Sequence, residues 1–208
     1  CMHLGTLLSV LIVMRKKWLP LVRKPLQKTN LCVLVSCLPT VGFALIFKTL
    51  ASALLEGQFL ALGFMITAVF LFCAGKLHFD RKRTLSVKTS VLSGVFQGIA
   101  VLPGVSRSGA TITALSLVGV DKKESADFSF LMSIPVILGS AILEILPLIS
   151  GDFTLATTDV LPLILGAVTA FLSGCFAIKF FLKIVSTKSL LPFSIYTFLL
   201  SIVSMCVL

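Results

Sequence analysis

The chain has 208 residues, 57% of them hydrophobic and only 12% charged, whereas a soluble domain carries about 25% charged residues. Its formal net charge is +10, yet the basic residues gather in short stretches between apolar runs and the aromatics are mostly Phe inside those runs, without the basic patterning of a nucleic-acid surface. These features exclude a soluble globular domain and a nucleic-acid binder. They point to an all-α, polytopic membrane helical bundle, because a backbone in lipid must satisfy its own hydrogen bonds.

In chain order, the apolar run up to Met14 is shorter than the ~20 residues a spanning helix needs. Its basic cluster Arg15-Lys16-Lys17 follows the run instead of preceding it, which excludes a signal peptide. With Cys1 where an initiator Met would stand, the expectation is a chain clipped inside its first helix. The stretch from Arg15 to Lys28 holds only basic charges and is placed in the cytoplasm, with Trp18 at headgroup level. Leu31–Leu50 is the next span, containing Pro39. The connection Ala51–Gln58, with Glu56 and no Lys or Arg, fits the outer side. Phe59–Gly75 returns, with Ala61, Gly63, Ala68 and Ala74 as small residues for close helix packing.

Lys76–Lys88 is a second basic, cytoplasmic loop. Beyond the segment Val91–Gly119, the Asp121–Asp127 connection carries Lys122 and Lys123. Phe128–Ile149 is then a span, Gly151–Asp159 an acidic outer loop, and Val160–Phe181 a span with a small-residue face of Gly166, Ala167, Ala170, Ser173 and Gly174. Lys179, Lys183 and Lys188 mark an inner end before the last span, Leu190–Leu208. No linker divides the sequence, so 1–208 reads as a single transmembrane domain. The six cysteines have no CxxC spacing and read as small packing residues, with neither a zinc site nor a disulfide framework indicated.

Val91–Gly119 differs from the other segments. The loops at 76–88 and 122–123 both belong to the cytoplasm and the acidic loop at 151–159 lies one crossing later, so Val91–Gly119 must cross the membrane an even number of times. A re-entrant hairpin turning at Pro103-Gly104 satisfies this parity. Pro103 ends a helix by removing a donor, and Gly104 permits a positive φ. A second half-helix then starts near Ser106 or Ser108, either of which suits an N-cap. Its N-terminus directs free N–H groups and the positive end of the helix dipole inward, an anion site by construction. Arg107 adds a permanent charge with bidentate geometry for phosphate. An arginine at this depth costs about 3 kcal/mol or more and is retained for function. Ser106, Ser108, Thr111 and Thr113 supply hydroxyls within a turn or so.

The run Pro103-Gly104-Val105-Ser106-Arg107-Ser108-Gly109-Ala110-Thr111 resembles the PGxSRSGAT motif of the undecaprenyl-diphosphate phosphatases, the bacitracin-resistance family. His3-Leu4-Gly5-Thr6, Lys24-Pro25-Leu26-Gln27, Gln97 in its GVFQGIAVLPG context, Phe128-Ser129-Phe130-Leu131 and Leu191-Pro192-Phe193 resemble it too. The resemblance implies hydrolysis of undecaprenyl diphosphate to undecaprenyl phosphate in the bacterial inner membrane, recycling the lipid carrier of cell-wall synthesis. It implies an inverted-repeat fold and dependence on a divalent cation (Mg2+ or Ca2+). The expected partners are a polyprenyl diphosphate lipid, the bilayer and a second copy of the chain in a homodimer.

Carried over by position, Arg107 and Ser106 are the catalytic residues, and Gly104, Ser106, Arg107, Ser108, Gly109, Thr111 and Gln97 bind substrate. Whether Ser106 or a water is the nucleophile is left open, since a seryl nucleophile needs a base and none is adjacent. The family's glutamate and histidine motifs would precede Cys1. The chain as given is therefore expected to lack the first re-entrant repeat, to hold no metal ligands and to be impaired in hydrolysis. The alternative function is a transporter or flippase of an anionic polyprenyl lipid, which would use half-helix N-termini without the carboxylates. Of the remaining titratable groups, His3, His78, Glu56, Asp80, Glu124 and Asp127 read as loop or helix-end residues. Glu144, inside an apolar run, is the one other candidate for a role.

Overall fold

A computed structural model describes residues 2–50, 59–76, 83–149, 157–187 and 189–207. The described residues form the helices α1 (Met2–Val13), α2 (Arg15–Arg23), α3 (Lys28–Leu50), α4 (Leu60–Lys76), α5 (Val87–Ile99), α6 (Arg107–Leu117), α7 (Lys122–Ile149), α8 (Thr157–Thr187) and α9 (Leu191–Val207). Three of them, α3, α7 and α8, are long and apolar enough to cross a membrane. The all-α, polytopic membrane architecture expected from composition is the one observed. Glu56, His78, Asp80 and the loop 150–156 lie outside the described residues, as does the side chain of Glu144.

Three boundaries differ from the sequence reading, each for a local reason. The basic stretch after Met14 is helical: α2 continues from α1 through Met14, whose carbonyl accepts from Lys17 N (2.7 Å) and Trp18 N (3.1 Å). The inner connection before α7 shrinks to Asp121, whose carboxylate accepts from Lys123 N (2.9 Å) and Glu124 N (3.2 Å). That satisfies free donors of a new helix and starts it at Lys122, six residues before Phe128. The segment around the Pro-Gly break also begins earlier, at Val87. There Ser86 and Thr89 form a reciprocal capping box, which satisfies two end donors at once.

Small residues set the packing, as their spacing suggested. In α8, Ala167 and Ala170 receive Gly5 of α1, and Gly174 receives Ser9. Ser194 and Ser201 of α9 donate to the carbonyls of Ala68 and Ala61 in α4, each at 2.8 Å. The densest burial surrounds α6, in which every residue from Gly109 to Ser116 is buried. Ile112 packs with Leu71, Ala74, Ala126, Val185 and Leu190, while Leu115 packs with Cys32, Val120, Phe128 and Met132. The helix carrying the arginine motif is thus the core of the bundle.

Candidate active site

α5 and α6 form a hairpin whose two ends meet. Arg83 N donates to Gly119 O at 2.9 Å, and Arg83 and Val120 form a β-bridge. The two ends of the segment thus lie side by side. At ~1.5 Å per residue, α5 is ~20 Å long and α6 ~16 Å, both short of the ~30 Å hydrocarbon core.

The break lies between Ile99 and Arg107. α5 ends four residues before Pro103, and the turn continues through Val101 N to Gly98 O, Leu102 N to Ile99 O and Val105 N to Leu102 O, at 3.1 to 3.2 Å. Gly104 has φ +82°, open to glycine at no steric cost. A Cβ there would also stand 2.5 Å from Leu60 O of α4. Of the two candidate caps, Ser106 is the N-cap: its side chain accepts from Gly109 N at 3.2 Å. Gly109 lies against that side chain, where a Cβ would meet Ser106 Oγ at 3.1 Å.

Arg107 is the first residue of α6 and is partly buried. Among the described residues, no hydrogen bond or ion pair engages its guanidinium. Ser108, also partly buried, likewise has no side-chain hydrogen bond there. The tip thus presents a guanidinium fork and a hydroxyl beside a helix N-terminus, all complementary to an oxyanion. Thr111 is fully buried and turned into the bundle. Its hydroxyl reaches Arg107 O (3.0 Å) and Ser108 O (3.3 Å) and stands 2.6 Å from Ser129 Oγ of α7. Thr113 donates to Gly109 O (2.7 Å) and Phe70 O (2.9 Å), tying α6 to α4.

Gln97 is fully buried on the other arm. Its Nε2 donates to Thr40 Oγ1 of α3 at 3.0 Å, while its Oε1 has no partner among the described residues. Gln97 is ten residues above the start of α5 and Arg107 ten residues above the end of α6. Gln97 thus lies in the last turn of α5 and Arg107 in the first turn of α6, on either side of the break.

The sequence reading missed Thr67, Thr40 and Ser129 as members of this assembly. Thr67 Oγ1 accepts from Ser106 N (2.8 Å) and reaches Gly104 O (2.9 Å) and its own helix's Gly63 O (3.0 Å). The one available signal was the Gly63–Thr67 pair at i,i+4, which puts both on one face of α4. Gly63 is the close-approach site, since a Cβ there would overlap Pro103 O.

The described carboxylates with placed side chains lie at the start of α7. Asp121 caps the helix, Glu124 accepts from Leu85 N (3.4 Å), and Asp127 pairs with Lys17 at 2.7 Å. Among the described residues, no three His, Cys, Asp or Glu side chains come together as a metal site.

A bundle of apolar helices around a broken hairpin that presents an unpaired arginine at a helix N-terminus defines a membrane protein handling an anionic group. The model of the bacitracin resistance protein BacA family matches residues 1–203, and the chain belongs to that family. It is 38% identical over 205 residues to an undecaprenyl-diphosphatase of Carboxydothermus hydrogenoformans, covering 96% of this chain and 78% of the relative. It is 37% identical over 210 residues to an undecaprenyl-diphosphatase of Christiangramia forsetii, covering 97% and 78%. An undecaprenyl-diphosphatase 4 of Bacillus cereus is 32% identical over 205 residues. The protein is accordingly a multi-pass protein of the bacterial inner membrane.

Proposed function

We propose that this chain is an undecaprenyl-diphosphate phosphatase that holds its substrate's diphosphate at the tip of the α5–α6 hairpin. Net hydrolysis consumes one water and breaks the anhydride bond to the terminal phosphorus, giving undecaprenyl phosphate and inorganic phosphate, and so regenerates the lipid carrier for cell-wall polymers. The observation that carries the site assignment is the Arg107 guanidinium, partly buried at the start of α6 and unengaged by any described residue. An arginine so placed costs folding energy and is repaid when an anion arrives.

In this reading Arg107 binds non-bridging oxygens in bidentate fashion and stabilises the charge that develops as the P–O bond breaks. Ser108 and the first-turn amides of α6 add donors, and Gly104 keeps the approach free of side chain. Ser106 Oγ holds Gly109 N. No described base bonds to it, so Ser106 and a water both remain as nucleophile. Gln97 Oε1 is an acceptor and meets a phosphate oxyanion unfavourably; its suitable counterpart is a donor such as the O–H of a water.

The divalent cation that the family resemblance implies does not fit the described residues at the tip. Around Arg107 the described residues offer hydroxyls and backbone carbonyls, whereas Mg2+ and Ca2+ sites are built on carboxylates. The bilayer and a second copy of the chain complete the partners in this reading, the latter tested by the mass of the detergent-solubilised particle.

The decisive experiment replaces Arg107 with Ala in the protein purified from membranes in detergent. Phosphate release from undecaprenyl diphosphate should fall by at least a hundredfold, about the loss produced by removing one preorganised donor. Near-normal turnover would overturn the assignment.

A further inference from the structure

We infer that Thr67, on α4, is a positioning residue of the reaction: its hydroxyl fixes the turn that aims Arg107. The inference rests on the phosphatase reading above. A threonine in a membrane helix ordinarily donates to the carbonyl four residues back and does nothing more. Thr67 makes that contact with Gly63 O at 3.0 Å, but its oxygen also accepts from Ser106 N at 2.8 Å and reaches Gly104 O at 2.9 Å. One buried hydroxyl therefore spans the two peptide groups on either side of Val105.

Those two groups determine where α6 begins. Gly104 sits at φ +82° and Ser106 at φ −68°, ψ 114°, a reversal that no helix or sheet bond enforces. Ser106 N is also a donor left free by a helix N-terminus, and Thr67 occupies it from outside the hairpin. The backbone of α4 is close enough for this because Gly63 lacks a Cβ, and Gly104 lacks one on the opposing side. α4 is held in turn by α9 through Ser194 and Ser201. The direction of the arginine is thus set by a helix that contributes nothing to the motif itself. A misplacement of about 1 Å at a reacting centre can cost on the order of a hundredfold in rate.

The test compares Thr67→Val, Thr67→Ala and Thr67→Ser in the purified protein, with kcat and KM for undecaprenyl diphosphate, the melting temperature in detergent and amide exchange at Ser106. The expected result is a fall in kcat of about tenfold or more for Thr67→Val, with a smaller change in KM. Ser106 N should exchange faster, the melting temperature should be close to that of the parent, and Thr67→Ser should recover most of kcat. If Thr67→Val does not fold, Thr67→Ala gives the same readings with a smaller side chain. An unchanged kcat and unchanged Ser106 exchange would overturn the inference. So would equal losses in the Ser and Ala variants that follow the fraction of folded protein, since those describe packing alone. Absence of phosphate release from the parent protein would overturn the phosphatase reading instead, while faster Ser106 exchange in Thr67→Val would still stand for the hydrogen bond.

Discussion

The hydroxyls of Thr111 and Ser129 stand 2.6 Å apart, both buried, and join the motif helix α6 to α7. Thr111 can send its proton to Arg107 O or Ser108 O, leaving Ser129 as the donor between the two helices. Ser129→Ala removes that donor while Thr111 keeps its helix carbonyls. The expected cost is about 1 kcal/mol of stability, read as a lower melting temperature, with kcat reduced by less than in the Arg107 variants. A kcat loss equal to that of Arg107→Ala would move Ser129 into the reaction itself.

Arg107→Lys separates charge from geometry. Lysine keeps the cation but offers a point charge in place of a planar fork. Phosphate release should be well below the parent yet above Arg107→Ala, and KM for undecaprenyl diphosphate should rise. Full activity in Arg107→Lys would show that charge alone suffices.

Gly104→Ala tests the turn. The new Cβ meets a left-handed backbone conformation, costing roughly 1–2 kcal/mol, and stands 2.5 Å from Leu60 O. Both effects act at the tip, so activity should be lost together with several degrees of thermal stability. A variant as stable and active as the parent would contradict this turn geometry.

Gln97→Met and Gln97→Glu should part company. Methionine removes an unpartnered buried acceptor at the cost of the Thr40 hydrogen bond, so stability should change by about 1 kcal/mol or less. Glutamate puts a negative charge in the last turn of α5, beside the break, and KM for the diphosphate should rise severalfold. Equal KM values in the two variants would remove Gln97 from the site.

Asp127→Asn probes a carboxylate outside the proposed site. Its pairing with Lys17 involves a half-exposed lysine, and such pairs contribute about 0–1 kcal/mol. Activity should be retained and the melting temperature nearly unchanged; a large fall in kcat would reassign Asp127 as a catalytic acid or base.

Much of this protein was legible in order along the chain. Hydropathy and loop charge placed the long helices, and Arg83 N meets Gly119 O at the ends of the segment read as a hairpin. Pro103-Gly104 marked the break, and Gly104 adopts the positive φ its identity allowed. Small residues in α4 and α8 marked the close contacts, because a missing side chain is as visible in sequence as a present one. Boundaries failed where capping decided them. Asp121 and the Ser86/Thr89 box start helices inside stretches whose charge suggested loops.

The sequence by itself determined a membrane helical bundle, the arginine motif and its family, since these follow from composition and from residues adjacent in the chain. Only the tertiary structure decided what holds the motif. Thr67, Thr40 and Ser129 lie on α4, α3 and α7, at separations of 39, 57 and 18 residues from their partners Ser106, Gln97 and Thr111. A lone hydroxyl in an apolar helix carries little local signal beyond a small neighbour such as Gly63 one turn before Thr67, because its default partner is its own helix. Its role appears only when packing brings another segment's unpaired peptide or side-chain group within hydrogen-bond reach.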